Sequence, residues 1–407
     1  MSKKVVLDTN ILLETPEILE DNKKSFVITY MTLKELDSLK RKRGDLQYSV
    51  RAATRKILEY FDSIHFDLSN KPNGESVDEQ IINSAKHHGI LYTEDVLMTV
   101  LAKVRGVEVY NPLSYQEESY SGCTELEVTE DMGELVNKYY GRPRHVTKGF
   151  DADVLVEHLG SVPSETEYII LKYNDSSMIF QYNSDDHTFS RRQLPNRQLK
   201  VNGHAIKPFD EYQHIAILSA INMNVPMTII DGAVGTGKTI LSLASALHLK
   251  NSHKLNSIYI TRPPVGVDPR FNIGFLPGQQ NEKLHPWVGG IISNLEFLYE
   301  KGAEQVFEEN FQHFPVNTAQ GYSIHNSVLI VDESQLLSID LTKQIISRVS
   351  QGSKLLLLGD ENQNYKVVSR TEMGLRRLKQ LIPNPSFEYI RLQTIYRGEL
   401  AKLSLKL

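Results

Sequence analysis

The chain has 407 residues, 40% hydrophobic and 23% charged, with a formal net charge of −5. That length points to two or three domains, each able to bury its own core. The acidic balance excludes a uniformly basic nucleic-acid-coating protein, so a polyanionic partner would have to be held by local basic patches. The single cysteine, Cys123, excludes an internal disulfide and fits a reducing compartment. No apolar run approaches membrane-spanning length, and MSKKVVLDTN is too poor in apolar residues for a signal peptide; a soluble, cytoplasmic protein is expected.

From its start the chain alternates strand-like and helix-like patterns. Val5 to Leu7, Phe26 to Thr29 (FVIT), Ile90 to Thr93 (ILYT) and Val107 to Tyr110 read as strands, with helices expected at Thr32 to Leu39, Gln47 to Phe61 and Asp78 to His87. Strands separated by helices predict a parallel sheet covered on both faces, whose ligands collect beyond the carboxyl ends of the strands. Four acids fall there: Asp8 ends the first strand, Glu35 follows the second, Asp78 opens a helix and Asp95 follows ILYT. Carboxylates gathered at one edge repel unless a cation neutralises them. Hard oxygen ligands suit Mg²⁺ or Mn²⁺, and such a site can activate water against a phosphodiester. Each acid also has a structural account. TLKE (Thr32 to Glu35) and SVDE (Ser76 to Glu79) match the capping box, and Asp78 and Asp95 favour a helix N-terminus. The run KRKR (Lys40 to Arg43), with Arg51, Arg55 and Lys56, is either solvated surface or a grip for an RNA backbone.

Between residues 116 and 205 the sequence turns polar and tyrosine-rich. Glu165 to Leu171, Ser177 to Tyr182 and Thr188 to Arg192 suggest short strands and hairpins, a small β-rich module or structured linker. Arg142, Arg144, Lys148, Arg191, Arg192, Arg197 and Lys200, interleaved with Tyr139, Tyr140 and Phe189, are either plain surface or contacts for single-stranded nucleic acid.

The strongest signal follows. After a helix expected from Phe209, in which Gln213 has an amide suited to an adenine edge, the apolar run MTII (Met227 to Ile230) leads into GAVGTGKT. These residues, Gly232, Ala233, Val234, Gly235, Thr236, Gly237, Lys238 and Thr239, fit Gly-x-x-x-x-Gly-Lys-Thr, and the helix-forming ILSLASALHL comes next. A strand, a glycine-rich turn and a helix N-terminus converge backbone N–H groups on phosphate oxygens. Lys238 would reach the β- and γ-phosphates and Thr239 would hold Mg²⁺. SIYIT (Ser257 to Thr261) is the next strand, with Arg262 at its end for phosphate or RNA. VLIV (Val328 to Val331) runs into Asp332, expected to orient Mg²⁺ through water, and Glu333, expected to be the general base. KLLLL leads to GDENQ, where Asp360 and Gln363 are placed to sense the γ-phosphate. No Asn/Thr-Lys-x-Asp element follows the phosphate loop, which favours adenine over guanine.

LDTN (Leu7 to Asn10), KELDSLK (Lys34 to Lys40) and TED (Thr93 to Asp95), with Asp78 opening a helix between the last two, resemble the PIN-domain nucleases over about the first 115 residues. The resemblance implies a metal-dependent ribonuclease site of Asp8, Glu35, Asp78 and Asp95, supported by Asn10. Leu97 stands where many members carry a polar or acidic residue, which implies a thinner metal shell. Residues 205 to 407 resemble the PhoH-type ATPases, relatives of superfamily 1 helicases, through TRPPVGVDPRFNIGFLPGQQNEKLHPW (Thr261 to Trp287), VDESQ and TIYRGELAKL (Thr394 to Leu403). On that resemblance Pro286 and Trp287 pack, and Arg397 stabilises transition-state charge across a subunit interface of a homo-oligomeric, hexameric ring. Gly398 stands in place of a frequent serine, and TAQGYSIHNS lacks an arginine often present. The chain also stops soon after Arg397, as though short of a tail.

The expected architecture is therefore α/β: a PIN-like parallel-sheet domain (1–115), a β-rich linker module (116–205) and a P-loop, RecA-like ATPase domain (206–407). The resemblance implies an ATP-dependent RNA helicase or translocase coupled to an endoribonuclease, with ATP and Mg²⁺ (or Mn²⁺ at the PIN site) as cofactors and RNA as partner. The alternatives are an ATP-driven RNA remodeller whose degenerate PIN domain only binds RNA, and a nucleotide-switched assembly scaffold.

Overall fold

A computed structural model describes residues 4–40, 46–69, 76–111, 120–128, 150–151, 153–173, 176–201, 203–263, 280–299, 301–314, 323–363 and 373–398. The chain divides into two compact units, Met1–Tyr120 and Ser121–Leu407. Among the described residues, no helix is long and apolar enough to cross a membrane.

In the first unit, strands β1 (Lys4–Leu7), β2 (Phe26–Thr29), β3 (His65–Asp67), β4 (Gly89–Tyr92) and β5 (Glu108–Tyr110) form a sheet in the order β3-β2-β1-β4-β5. Every pairing is parallel. Helices α1 (Thr9–Glu14), α2 (Tyr30–Lys40), α3 (Leu46–Glu59), α4 (Val77–His88) and α5 (Val96–Val104) provide the connections. Alternation along the strands divides the core between two faces. Val5, Leu7, Phe26 and Ile28 join one cluster, while Val6, Val27 and Leu91 join the other with Ile81 and Ile82. The chain adds β2 and β3 on one side of β1 and then β4 and β5 on the other, so the strand order switches at β1 and the crevice beyond its carboxyl end is the natural ligand position.

Capping departs from the expectation in one place and agrees in another. Thr32 is not an N-cap: α2 starts two residues earlier, and Thr29 Oγ1 accepts from the Thr32 N–H at 3.1 Å. The Ser76–Glu79 capping box is present as read.

The second unit begins with an antiparallel-rich sheet. It comprises β6 (Cys123–Glu127), β7 (Phe150–Asp151), β8 (Tyr168–Tyr173), β9 (Ser176–Asn183) and β10 (Thr188–Arg191), in the order β6-β8-β9-β10-β7, with α6 (Asp153–Leu159) against it. The strand expected from Glu165 starts at Tyr168, because Glu165 instead accepts hydrogen bonds from Ser184 in the β9–β10 turn. A hairpin, β11 (Leu199–Val201) and β12 (His204–Ile206), follows. The sheet is two-sided. Ile169, Leu171, Phe180 and Phe189 pack around Leu155 on one face, while Tyr168, Ile170 and Ile179 share a core with Leu199, Val201, Ile215 and Ile390.

The ATPase-like sheet has six parallel strands in the order β15-β14-β16-β17-β13-β18. These are β13 (Met227–Gly232), β14 (Ile258–Thr261), β15 (Phe311–His313), β16 (Val328–Val331), β17 (Lys354–Gly359) and β18 (Phe387–Leu392). Helices α7 (Glu211–Ala220), α8 (Lys238–Ser252), α9 (Gln280–Glu296), α10 (Ala303–Asn310), α11 (Ile339–Ile346) and α12 (Gly374–Lys379) accompany it. β13, β16 and β17 are buried throughout, as parallel strands covered on both faces should be.

The two sheets of this unit meet at a seam. Arg391 N–H donates to Ser121 O at 2.9 Å, and Gly122, at φ +80°, lies so close that an added Cβ would fall 1.6 Å from Tyr389 O. Glu388, fully buried on β18, accepts from Tyr168, Gln181 and Asn222. Glu211, at the start of α7, accepts from Ser177 and Arg197. Burial opposes its charge, yet with His214 these partners hold its carboxyl down to about 2.

Several expectations fall outside the described residues: Arg41 to Arg43 of the basic run, Tyr139, Tyr140, Arg142, Arg144 and Lys148, most of the stretch Thr261 to Trp287, part of TAQGYSIHNS and the end of TIYRGELAKL.

Candidate active sites

Asp8 sits where β1 gives way to α1, its own N–H bonded to Tyr92 O at 3.0 Å. It is the N-cap of α1 and only 4% exposed. Oδ1 accepts from the Thr9 N–H at 2.6 Å and Oδ2 from the Thr93 hydroxyl at 2.7 Å. Burial raises the Asp8 carboxyl to about 6; these hydrogen bonds hold it down, while the charges of Glu35 and Asp78 push it further up. Thr9 is the link to the second acid, because its hydroxyl donates to Glu35 Oε2 at 2.6 Å. Asp78 lies in the first turn of α4, raised by burial and then by Asp95 and Glu79. Asp95 caps α5, accepting from Met98 N–H at 2.9 Å, and its own N–H donates to Thr93 Oγ1 at 3.1 Å.

The four acids thus belong to one electrostatic neighbourhood at the carboxyl edge of the sheet. Thr9 and Thr93, neither among the expected site residues, are the side chains that hold it together. The donor chemistry, hard oxygens around a carboxylate costly to ionise, suits a divalent cation. Among the described residues, however, no three His, Cys, Asp or Glu side chains converge as a formed metal-binding cluster. Asn10 is exposed, and Leu97 is 66% exposed on the first turn of α5.

In the second unit the candidate residues again lie at the carboxyl edge of the sheet, on loops after β13, β14, β16 and β17. Gly232, Gly235 and Gly237 all have positive φ, at 149°, 85° and 98°. A side chain would be strained there, and at Gly235 its Cβ would stand 2.6 Å from Arg397 Cβ. Lys238 Nζ donates to Gly232 O and, at 3.0 Å, to Ala233 O, while the Thr236 hydroxyl donates to Ala233 O at 2.9 Å. The loop is thus folded with its lysine held against its own carbonyls. Val234 and Thr239 are half-buried.

Asp332 is anchored by its N–H to Thr261 O at 2.9 Å, and burial raises its carboxyl, with Glu333 adding and Arg262 and Lys238 opposing. Glu333 takes a left-handed backbone, φ 54°, unusual for a non-glycine and of the kind stored at functional sites. One oxygen of its carboxylate meets Arg262 Nη2 at 3.2 Å, and the other accepts from Gln335 Nε2 at 2.6 Å. Gln335 then accepts, through Oε1, from the Asp360 N–H at 3.1 Å. One buried amide therefore joins the ends of β16 and β17. Asp360 is raised by burial against the pull of Lys238, and Gln363 N–H closes a turn on Asp360 O at 2.9 Å. Gln335 stands in the VDESQ stretch, but a glutamine two residues beyond an acid carries no signal until the strands are placed.

Gln213 and Arg397 both meet the phosphate loop. Gln213 does not present a free amide: it is buried, with Nε2 donating to Thr236 O and Oε1 accepting from Phe209 N–H, both at 2.9 Å. Arg397 lies on the phosphate loop of its own chain, its N–H 3.3 Å from Gly235 O beside the Tyr396 N–H at 2.9 Å.

Comparison with known proteins agrees with this division. Residues 5–112 match the PIN domain family and residues 205–406 match the PhoH-like protein family. The protein PhoH2 of Bacillus subtilis (strain 168) is 27% identical over 411 residues, spanning 89% of this chain and 89% of that protein. PhoH2 of Mycolicibacterium smegmatis is 24% identical over 91% of this chain and 84% of its own length. PhoH2 of Thermobispora bispora is 24% identical over 98% and 94% respectively. With a PIN match leading into a PhoH match, and relatives aligned along most of both chains, the chain belongs to the PIN-PhoH family.

Proposed function

We propose that this protein is an ATP-dependent RNA helicase or translocase joined to a metal-dependent endoribonuclease, acting in the cytoplasm, with the three-part division 1–115, 116–205 and 206–407. The observation that carries the motor reading is the hydrogen-bonded link Glu333–Gln335–Asp360 at the mouth of the phosphate loop. Glu333 would take a proton from the attacking water, and the rearrangement that follows would reach Asp360 and Gln363 through a single amide. Mg²⁺ held by Thr239 and Asp332 would supply charge neutralisation at the phosphates. Lys238, now on loop carbonyls, would exchange them for phosphate oxygens.

The nuclease reading rests on Asp8. A buried carboxylate in the field of Glu35 and Asp78, with only neutral hydrogen-bond donors, would gain most from a cation shared with Glu35, Asp78 and Asp95. That cation, when bound, would supply an activated water, while Thr9 and Thr93 orient the acids. The reading requires these side chains to draw together on binding. Arg397, whose backbone meets its own chain's phosphate loop, would stabilise charge on the transferred phosphate across a subunit interface of a hexameric ring.

The test is an end-labelled RNA with a single-stranded tail and a duplex, incubated with ATP and Mg²⁺ or Mn²⁺. Asp8→Asn should abolish cleavage and spare strand separation, and Lys238→Ala should do the reverse. Wild-type protein that hydrolyses ATP but leaves the RNA whole and paired would refute the reading.

A further inference from the structure

Phe209 is 74% exposed, and its ring packs against that of Tyr396, itself 41% exposed, with centroids 4.8 Å apart and the planes tilted by 42°. An exposed aromatic pair is unusual by itself; its attachment gives it meaning. Tyr396 N–H bonds to Gly235 O in the phosphate loop, and its hydroxyl donates to Asp210 Oδ2 at 2.6 Å. Asp210 is the N-cap of α7, accepting from the Gln213 N–H at 2.7 Å, and the Gln213 amide spans from Phe209 N–H to Thr236 O. Both rings are therefore fastened to the phosphate loop through backbone and buried side-chain bonds. Nothing in that network requires the Phe209 ring itself, which has one face toward Tyr396.

We infer that Phe209, backed by Tyr396, is the stacking platform for the base of the nucleotide whose phosphates occupy the Gly232–Thr239 loop, and that the base is held by its face rather than read by its edge. The inference rests on the nucleotide-site reading above and adds its base subsite and selectivity. Every base has a π-face, so stacking attracts without discriminating. The side-chain amide best placed to read a ring edge, that of Gln213, is already engaged at both ends. The ligand class is thus nucleoside triphosphates not selected by base identity, with GTP accepted alongside ATP. Stacking a base of single-stranded RNA would use the same chemistry. The fixed link to Gly235 and Thr236 favours the nucleotide, whose phosphates lie on those residues.

The experiment measures binding of ATP, GTP and inorganic tripolyphosphate, each with Mg²⁺, to the full chain by calorimetry, for wild type, Phe209→Ala and Phe209→Trp. Phe209→Ala should weaken ATP and GTP alike, by about five- to a hundredfold, the range of one lost base–aromatic stack, and leave tripolyphosphate unchanged. Phe209→Trp should keep nucleotide affinity, and a thermal melt should confirm that both variants fold. Unchanged ATP affinity in Phe209→Ala overturns the inference, as does equal weakening of tripolyphosphate. So does a wild-type preference for ATP over GTP of several orders of magnitude, which only hydrogen bonds to the ring edge would give. A loss of single-stranded RNA binding with nucleotide binding intact would assign the pair to RNA. If wild type binds neither ATP nor tripolyphosphate, the nucleotide-site reading itself falls.

Discussion

At the scale of single residues, both candidate sites keep a group in a form the fold alone would not choose. The folded-state pKa of Asp8, about 6, lies above the ordinary aspartate value of 3.8, so folding favours its protonated form. The stability this gives is complete at low pH and is lost as pH rises through about 6. Asparagine is nearly isosteric and caps a helix equally well. Asp8→Asn should therefore be more stable than wild type at pH 7.5, by at most about 3 kcal/mol, and the gap should close near pH 4, read from denaturation midpoints of the N-terminal unit. A wild type more stable than Asp8→Asn at pH 7.5 without added metal would contradict this. Glu333 is the second case. Glu333→Gln should bind ATP as wild type does and lose hydrolysis by roughly 10²- to 10⁴-fold, the usual contribution of a general base, in a steady-state phosphate-release assay. Asp8, Glu35, Lys238, Asp332 and Glu333 were all visible in the sequence because acids and glycines at strand ends carry their own signal. Thr9, Thr93 and Gln335 were not, since their importance comes from partners distant along the chain or on another strand.

At the scale of elements, legibility followed amphipathic or unbroken apolar pattern. FVIT, MTII, VLIV and KLLLL are strands as read, and α2, α3 and α4 differ only at their ends. The elements that escaped had no pattern to find. α1 is a single short helix, α5 is apolar on nearly every side, and β18, FEYIRL, carries Glu388 and Arg391 and reads as surface. Glu388 is nevertheless fully buried, because Tyr168, Gln181 and Asn222 reach it from elsewhere. Lys354, at the start of β17, belongs to the same buried region. Burial lowers its ammonium to about 7, with Glu388 opposing, while Nζ donates to Asn222 O and Val225 O. The folded state thus binds fewer protons than the unfolded chain between about pH 7 and 10.5, so this group's share of stability rises with pH across that window. In urea titrations at pH 7.5 and 9.5, wild type should gain stability relative to Lys354→Met. A flat difference would mean that Lys354 stays charged in the fold.

At the scale of the whole molecule, the chain divides into compact units at Tyr120/Ser121, and within the second unit the β-rich module packs with the ATPase part. Tyr168, Ile170, Ile179, Leu199 and Val201 share one core with Ile215, Leu243 and Ile390. A fragment of residues 121–407 should therefore melt cooperatively and hydrolyse ATP, whereas one of residues 206–407 should expose that face and aggregate. Light scattering and a thermal melt distinguish the two, and a well-behaved 206–407 fragment would show the β-rich sheet to be dispensable. The position of β18 bears on how the protein is made. β13, with the phosphate loop at its end, pairs with β17 on one side and with β18, the last described strand of the chain, on the other. Until the ribosome has released residues 387–392, one long edge of this fully buried strand stays open to any passing strand. Stalled or prematurely terminated synthesis would leave a sticky, inactive product, so the nascent chain is the form of this protein most in need of a chaperone.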